Sequence, residues 1–548
     1  MMNMIKFSIK YILRHYLSFV ILMFFVIVKS ILAVVAPYLS GIFIDQLIVQ
    51  PSMKTIYGFA IIYALLALTQ IITLYISTIL HTYIYANASI SLTFDVVEHM
   101  RKLPLCFYTN KDITYFTHRI QGDSNALITF VLTNALDLVS NILSIAGTIY
   151  IVIKVSKYMC IVYIIALFVY LVQYILTKKM IYSNSKTLRE MESHFFSVLL
   201  SQLKHLRLIK MFNIGKIFDL RLRASYDSLY KATLNLQKIM CFFQSNQITV
   251  SSIFKVLLLI FGGIQFINGK MTIGMFSVLL TYLGLIMNSV VYFANLGQSY
   301  ISAMVSYNRM VELIYLQEDC NGSEMIAHVN SISIQNLSYG YDNNLLVYNF
   351  SYIFEKGKIY CICGSNGTGK STFSDILLGL NQIYEGKIVF NNSKDLRDLD
   401  MYKIREKLCC CISQDALLYE DTILNNILLC KENTDISIID KLAVQIGLFH
   451  ENNSNLSLDY LIDNNKENLS GGERQKISLL RSFVGNNDFI IYDEPTSYLD
   501  KSSNDFFINK LQEMKLQNKI ILIITHDHTL QNYCDVCINL ENYVADNS

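Results

Sequence analysis

The sequence predicts a multi-domain membrane protein: an all-α domain of six transmembrane helices with long cytoplasmic helical extensions, followed by an α/β domain built around a phosphate loop. Three observations carry that reading. The 548 residues are 53% hydrophobic and only 16% charged, a balance suited to lipid rather than water. Apolar stretches of membrane-spanning length crowd into positions 1–320. After them, the apolar run Ile359–Cys363 leads into Gly364-Ser365-Asn366-Gly367-Thr368-Gly369-Lys370-Ser371, a complete G-x-x-x-x-G-K-S phosphate loop.

The N-terminus carries Lys6, Lys10 and Arg14 before an apolar stretch from Ser18 to Ile48. That stretch exceeds the ~7–15 residues of a signal-peptide core, so it reads as a membrane span. Met4 to Tyr16 mixes apolar and basic residues at helical spacing, which predicts an amphipathic elbow helix along the cytoplasmic surface. Five further spans are centred near 57–85, 127–153, 157–177, 246–267 and 271–294. Short connections near Pro51–Lys54, Lys154–Lys157 and Asn268–Met271 alternate with long ones near Thr93–Ser124 and Thr177–Lys238. The long ones hold most of the basic residues, among them Arg101, Lys178 and Arg207, so the positive-inside bias places them, both termini and the phosphate-loop half in the cytoplasm. Their periodicity predicts helices continuing out of the membrane.

Polar residues Glu318, Asp319, Asn321, Gly322 and Ser323 mark the boundary. We read 1–320 as the transmembrane domain, 321–330 as a linker and 331–548 as the nucleotide domain, where short β-rich runs alternate with amphipathic helices around a largely parallel sheet. The net charge of +2 argues against a nucleic-acid partner. The 12 cysteines, Cys361, Cys363, Cys409, Cys410, Cys411 and Cys430 among them, are read as reduced small hydrophobes without a redox role.

The loop's glycines let the backbone approach phosphates, and its N–H groups with the following helix N-terminus hold negative charge. Lys370 reaches the β- and γ-phosphates, and the Ser371 hydroxyl, next to Thr372, is a Mg²⁺ ligand in this motif. A second apolar run, Phe489-Ile490-Ile491-Tyr492, ends in Asp493 and Glu494. A strand ending this way delivers Asp493 to the metal and Glu494 to the attacking water.

Leu469-Ser470-Gly471-Gly472-Glu473, just upstream, resembles the signature sequence of ABC-transporter ATPases. Ser497-Tyr498-Leu499-Asp500 is similar to the family's D-loop, His526 to its switch histidine, Gln414 to its glutamine loop, and Tyr341 to the aromatic that stacks on adenine. The resemblance covers about 340–530 and implies ATP and Mg²⁺ as cofactors. It assigns catalysis to Glu494, His526 and Gln414, metal binding to Ser371, Gln414 and Asp493, and ATP contacts to Tyr341, the loop through Thr372, Ser470, Gly471, Gly472 and Asp500.

The membrane half resembles exporter-type ABC proteins more loosely. Leu103-Pro104-Leu105-Cys106-Phe107-Tyr108 with Arg119 and Asp123 is similar to the first intracellular loop, Ile209-Lys210-Met211-Phe212 to the second, and Pro37 and Asp45 to a proline and an aspartate common on the first helix. Three departures stand out: Glu473 where glutamine is commoner, Asn464-Asn465-Lys466-Glu467-Asn468 where many exporters have a different glutamate-containing segment, and Thr114 where glycine is frequent. In the family one ATP is sandwiched between the phosphate loop of one ATPase and the signature of its partner. One copy of each in this chain therefore implies a second chain, most simply an identical one, and alternating access as the mechanism.

For substrate, Lys29 and Lys255 fall inside predicted spans, where an unpaired charge costs at least ~2.5–3.5 kcal/mol. Each belongs to an internal ion pair, snorkels near the end of a longer-than-expected helix, or meets a substrate carboxylate or phosphate. Gln70 and His81 could line the pathway or hydrogen-bond across helices, and the 36 tyrosines are expected mainly as interfacial anchors. The leading expectation is an exporter of a peptide or amphipathic small molecule from a cell membrane. Lipid flipping, or sensing without net transport, are the alternatives.

Overall fold

The computed structural model describes residues 2–109, 113–341, 344–429, 435–449, 456–463 and 468–543. Cys430 and Asn464–Glu467 lie outside the described residues, as do the side chains of Cys106, Thr114, Arg119 and Tyr341. The chain divides into two compact units, Met1–Arg101 with Asp112–Leu316, and Lys102–Lys111 with Gln317–Ser548.

In the first unit, α1 (Met2–Ile12) is the amphipathic elbow, followed by a 3₁₀ turn at Leu13–His15. The long helices are α2 (Tyr16–Val49), α3 (Met53–Arg101), α5 (Ile113–Val155), α6 (Lys157–Lys204), α8 (Gly215–Ile267) and α9 (Ile273–Ile314). Among the described residues, these give six segments long and apolar enough to cross a membrane. Their polar ends run on as continuous helix. The first excursion breaks only around α4 (Cys106–Thr109), and the second around α7 (Leu206–Phe212), which closes on Asn213 in the left-handed conformation.

Helix approach is set by small residues and caps. Where α2 crosses the start of α9, a Cβ on Gly274 would lie 1.9 Å from the Gly41 carbonyl oxygen, so only glycine fits. Beside it the Asp45 carboxylate accepts hydrogen bonds from Thr272 Oγ1 (2.5 Å) and the Gly274 N–H (2.7 Å), satisfying an orphan donor at the α9 N-terminus. Buried Asp123 on α5 pairs with Arg309 on α9 at 2.7 Å. Four tyrosines serve differently from the interfacial anchors expected. Tyr163, Tyr170, Tyr282 and Tyr292 donate their hydroxyls to main-chain carbonyls of neighbouring helices, at Leu279, Gln247, Val34 and Asn134, because a phenol away from water needs a partner.

The second unit has two sheets. An antiparallel one, not foreseen in the sequence, runs β2-β1-β4-β5 with β1 at Ser331–Tyr341, β2 at Asn344–Glu355, β4 at Glu385–Phe390 and β5 at Lys394–Asp395. A parallel one runs β6-β7-β8-β3-β9, with β3 at Lys358–Cys363, β6 at Cys409–Ile412, β7 at Phe489–Asp493, β8 at Ile520–Ile524 and β9 at Val536–Asn539. The helices are α10 (Lys370–Leu377), α11 (Met401–Lys407), α12 (Ile423–Leu428), α13 (Ile436–Gln445), α14 (Gly471–Val484), α15 (Lys501–Leu516) and α16 (His528–Gln531). Central β8, Ile520-Ile521-Leu522-Ile523-Ile524, is wholly buried, its side chains alternating between two hydrophobic cores. The stretch 321–324 is fastened rather than loose: Asn321 bonds the Asp400 carboxylate (2.8 Å) and the Met401 N–H (2.8 Å). The unit includes α4, and the Asp319 N–H donates to the Lys102 carbonyl at 2.7 Å.

Candidate nucleotide site

Parallel strands release their chemistry at their carboxyl ends. The register pairs Ile362 with Ile524, Asp493 with Ile524, and Ile412 with Tyr492. The phosphate loop after β3, Glu494 after β7, His526 after β8 and Gln414 after β6 therefore emerge at one edge.

Gly369 holds φ +86°, and a Cβ there would press within 3.0 Å of the Tyr339 ring, so the turn into α10 requires glycine. The Tyr339 hydroxyl donates to the Gly369 carbonyl at 3.1 Å, bracing the loop from β1. Inside the loop the Lys370 ammonium donates to Gly364 O (2.7 Å), Ser365 O (2.9 Å) and His526 Nε2 (3.0 Å). An ammonium can only donate, so this contact is a hydrogen bond when Nε2 carries the ring's lone pair. Lys370 and His526 are thus in direct contact.

Glu494 occupies φ +47°, rare for a side chain other than Asn or Gly and typical of functional sites. Its carboxylate accepts from the His526 N–H (3.0 Å) and Thr525 Oγ1 (3.3 Å). Ser371 Oγ donates to Asp493 Oδ2 at 3.3 Å. Burial raises the Asp493 carboxyl above the ordinary range, with Ser371 and Lys370 opposing. Asp375, one turn into α10, is pushed up to about 6 by burial and by Asp493. Two crowded carboxyls beside a hydroxyl are hard oxygen donors of the kind Mg²⁺ takes, together with substrate phosphates. Among the described residues no cluster of three or more His, Cys, Asp or Glu side chains is placed to hold a metal ion.

Thr372 is buried behind the loop. Gln414 is exposed, and among the described residues no hydrogen bond joins it to the other site groups. Tyr341 ends β1. Asp375 and Glu541 were missed by sequence reading. Glu541 Oε1 accepts the Ser365 N–H at 2.7 Å, and that bond holds the Glu541 carboxyl below its usual range. Neither residue lies in a motif, so only the fold reveals them.

The signature forms a separate locus. Ser470 N-caps α14, and Glu473 completes a capping box, its carboxylate accepting from both the Ser470 N–H (2.7 Å) and Oγ (2.7 Å). That explains how glutamate is accommodated where glutamine is commoner. Asp500 N-caps α15 and pairs with Lys476 at 2.8 Å, which holds its carboxyl far below the usual range. Ser470, Gly472, Lys476, Tyr498 and Asp500 line a cavity of about 530 Å³, to which the phosphate loop contributes no residue.

In the membrane unit, Lys29 on α2 and His81 on α3 lie within electrostatic range of Asp137 on α5, and His81 Nε2 meets Thr133 Oγ1 at 3.2 Å. Lys255 on α8 is exposed. The structure thus gives Lys29 an acidic neighbour and His81 a bond across helices.

Fold and site together define a membrane-embedded ATP-hydrolysing transporter. Residues 347–497 match the family model described as ABC transporter, and residues 19–290 that of the ABC transporter transmembrane region. The chain belongs to the ABC transporter family, as a single membrane region fused to a single ATPase. It is 23% identical over 552 residues to the multidrug resistance-like ATP-binding protein MdlA of Buchnera aphidicola subsp. Baizongia pistaciae, covering 97% of this chain and 93% of that one. It is 22% identical to the ATP-dependent lipid A-core flippase of Photobacterium profundum, over 82% of this chain and 78% of that one. The lactococcin-G-processing and transport ATP-binding protein LagD of Lactococcus lactis is 23% identical, over 93% and 73%. A solved bacterial Atm1-family ABC exporter with ATP bound shares the fold, with TM-score 0.83 and 17% identity over 97% of this chain and 95% of that one. The protein is a multi-pass ABC exporter.

Proposed function

We propose that two copies of this chain form an exporter in which each ATP, with Mg²⁺ held by Ser371 and Asp493, lies between the phosphate loop of one copy and the signature of the other. The single supporting observation is the separation of the two half-sites. The α14 N-terminus, a ready anion site, opens with Ser470 and Gly472 onto a cavity free of phosphate-loop residues. In this reading the nucleotide units and both termini face the cytoplasm. Glu494 activates water, His526 senses the γ-phosphate beside Lys370, and Gln414 joins the metal shell once nucleotide is bound. Closure of the paired ATPases drives the membrane helices outward, since ATP favours the closed state.

Complementation tests the shared sites. Lys370→Ala and Ser470→Arg each inactivate both sites of a homodimer, whereas mixed dimers regain one whole site. Random mixing of equal amounts therefore returns about a quarter of wild-type hydrolysis, half of the dimers having half of their sites. No recovery on mixing refutes intermolecular sites.

The cargo in this reading is a peptide or amphipathic small molecule bearing an anionic group that meets Lys29, with Lys255 as a second contact. An exposed lysine on an apolar helix is costly unless it faces water or a counter-charge. In reconstituted vesicles Lys29→Met should abolish stimulation of ATPase by an anionic amphipathic peptide and its accumulation, while leaving basal hydrolysis. Unchanged accumulation eliminates the role of Lys29, and movement of labelled lipid without peptide uptake makes the protein a flippase.

A further inference from the structure

Four cysteines meet at the base of the phosphate loop. Cys361 and Cys363 lie two apart on β3 and so share a face, their sulfurs 3.3 Å apart. Cys537, on edge strand β9, is the register partner of Cys361. Neighbouring strands run about 4.7–4.9 Å apart, within the Cα separations that disulfides span. Cys534, just before β9, lies close enough to Cys361 for the two thiols to interact. Exposure is graded: Cys361 is buried, Cys363 and Cys534 are half-buried, and Cys537 is exposed. All four are reduced, and among the described residues no metal-holding cluster includes them.

From this geometry we propose that the C-x-C of β3 and the C-x-x-C at 534–537 form a thiol–disulfide site, in which Cys534 is the attacking thiol and Cys361 its disulfide partner. Cys534 is half-buried whereas Cys361 is buried, so Cys534 is the one of the pair that an incoming disulfide reaches first. The co-reactant is a low-molecular-weight disulfide, RSSR. The Cys534 thiolate attacks one sulfur, giving Cys534–S–SR and RS⁻, which takes the proton Cys534 released. Cys361 then attacks the Cys534 sulfur, expelling the second RS⁻, which takes the Cys361 proton. Two thiols are oxidised, one RSSR is reduced, and two RSH leave.

The bridge reaches the nucleotide site by a short route. Cys363 is the register partner of Asn539 and immediately precedes Gly364. Asn539 bonds the Glu541 carboxylate (3.4 Å), which grips the Ser365 N–H (2.7 Å). A covalent link from β3 to the entry of β9 therefore fixes both attachments of the loop at once. Sequence reading assigned these cysteines no redox role, because C-x-C and C-x-x-C lie far apart in the chain and only the β3–β9 register joins them.

The test treats the purified full-length protein with glutathione disulfide, quenches free thiols and digests it with trypsin without reduction. Peptides 359–370 and 520–548 should appear joined, ATPase should fall at least fivefold, and dithiothreitol should restore it. In Cys534→Ser the joined peptides should vanish and hydrolysis should resist the oxidant, whereas Cys320→Ser should behave as wild type. A disulfide confined within either peptide, glutathione stably attached without a link, or an ATPase loss that persists in Cys534→Ser overturns the proposal. The peptide readout on the wild-type protein stands even where a variant folds poorly.

Discussion

The two units each hold a lysine in an apolar setting, and they do so by different means. In the ATPase unit Lys370 finds three acceptors within 3.0 Å, two from the loop itself and one from His526, two residues past the end of β8. In the membrane unit Lys29 has a carboxylate only at electrostatic range, on another helix. A nucleotide site must be pre-organised, because aligned donors in a dry pocket stabilise developing charge without reorganising. A transport pathway must release its cargo as well as bind it, and a loosely held charge leaves room for both. The contrast between the two lysines is the one expected if Lys370 belongs to the engine and Lys29 to the cargo pathway of the proposed exporter.

The largest effect that would sharpen this contrast lies at Glu494. Glu494→Gln keeps the shape of the strand exit but removes the proposed base, so hydrolysis should fall by about 10²–10⁴-fold. ATP affinity should persist, since Lys370 and the loop amides are untouched. Equilibrium binding of labelled ATP beside steady-state hydrolysis separates the two. Equal loss of both would make the carboxylate a structural support for the His526 N–H instead of a base.

Much of the tight network was legible because its parts are short and contiguous. The loop, Asp493-Glu494 and Ser470–Gly472 are read directly, and each sits at a strand or helix end where backbone geometry fixes its direction. The loose network was not legible. Asp137 was passed over inside an apolar span, and nothing local marks it as the neighbour of Lys29 and His81. The same holds within the ATPase unit for Asp375 and Glu541, brought in by α10 and by the turn after β9, and for the antiparallel sheet, whose β1 is interrupted by irregular register near Leu337 and Tyr339. Motifs report contacts made locally, whereas residues recruited by tertiary packing leave no spacing to read.

Asp375 offers a test of intermediate size. Its folded value of about 6 lies above the ~3.9 of an unfolded aspartate, so the folded state holds more protons between those values. Stability should therefore decline as pH rises from 4 through 6, leaving a cost at neutral pH. Asp375→Asn removes that cost. After allowance for solvent screening at this half-buried carboxyl, the variant should be more stable by about 1 kcal/mol at pH 7.5 in nucleotide-free protein, with the gain gone by pH 4. Thermal unfolding of the full chain at both pH values reads it. An unchanged difference across that range would show that Asp375 is not the titrating group.

The smallest effect probes the membrane side. Tyr282 is fully buried on α9 and donates to the Val34 carbonyl of α2 at 2.7 Å. Phenylalanine keeps the ring and its packing, so the variant loses one interhelical bond and little else. Bonds of this kind within membranes average about 0.6 kcal/mol, while truncating a packed side chain such as Leu258 to alanine costs about 2–5 kcal/mol. Tyr282→Phe should thus lower the unfolding temperature in detergent only slightly, and Leu258→Ala clearly more. If the tyrosine variant proved the worse of the two, the bundle would depend on directed polar bonds as the phosphate loop does, and the contrast between the units would fail.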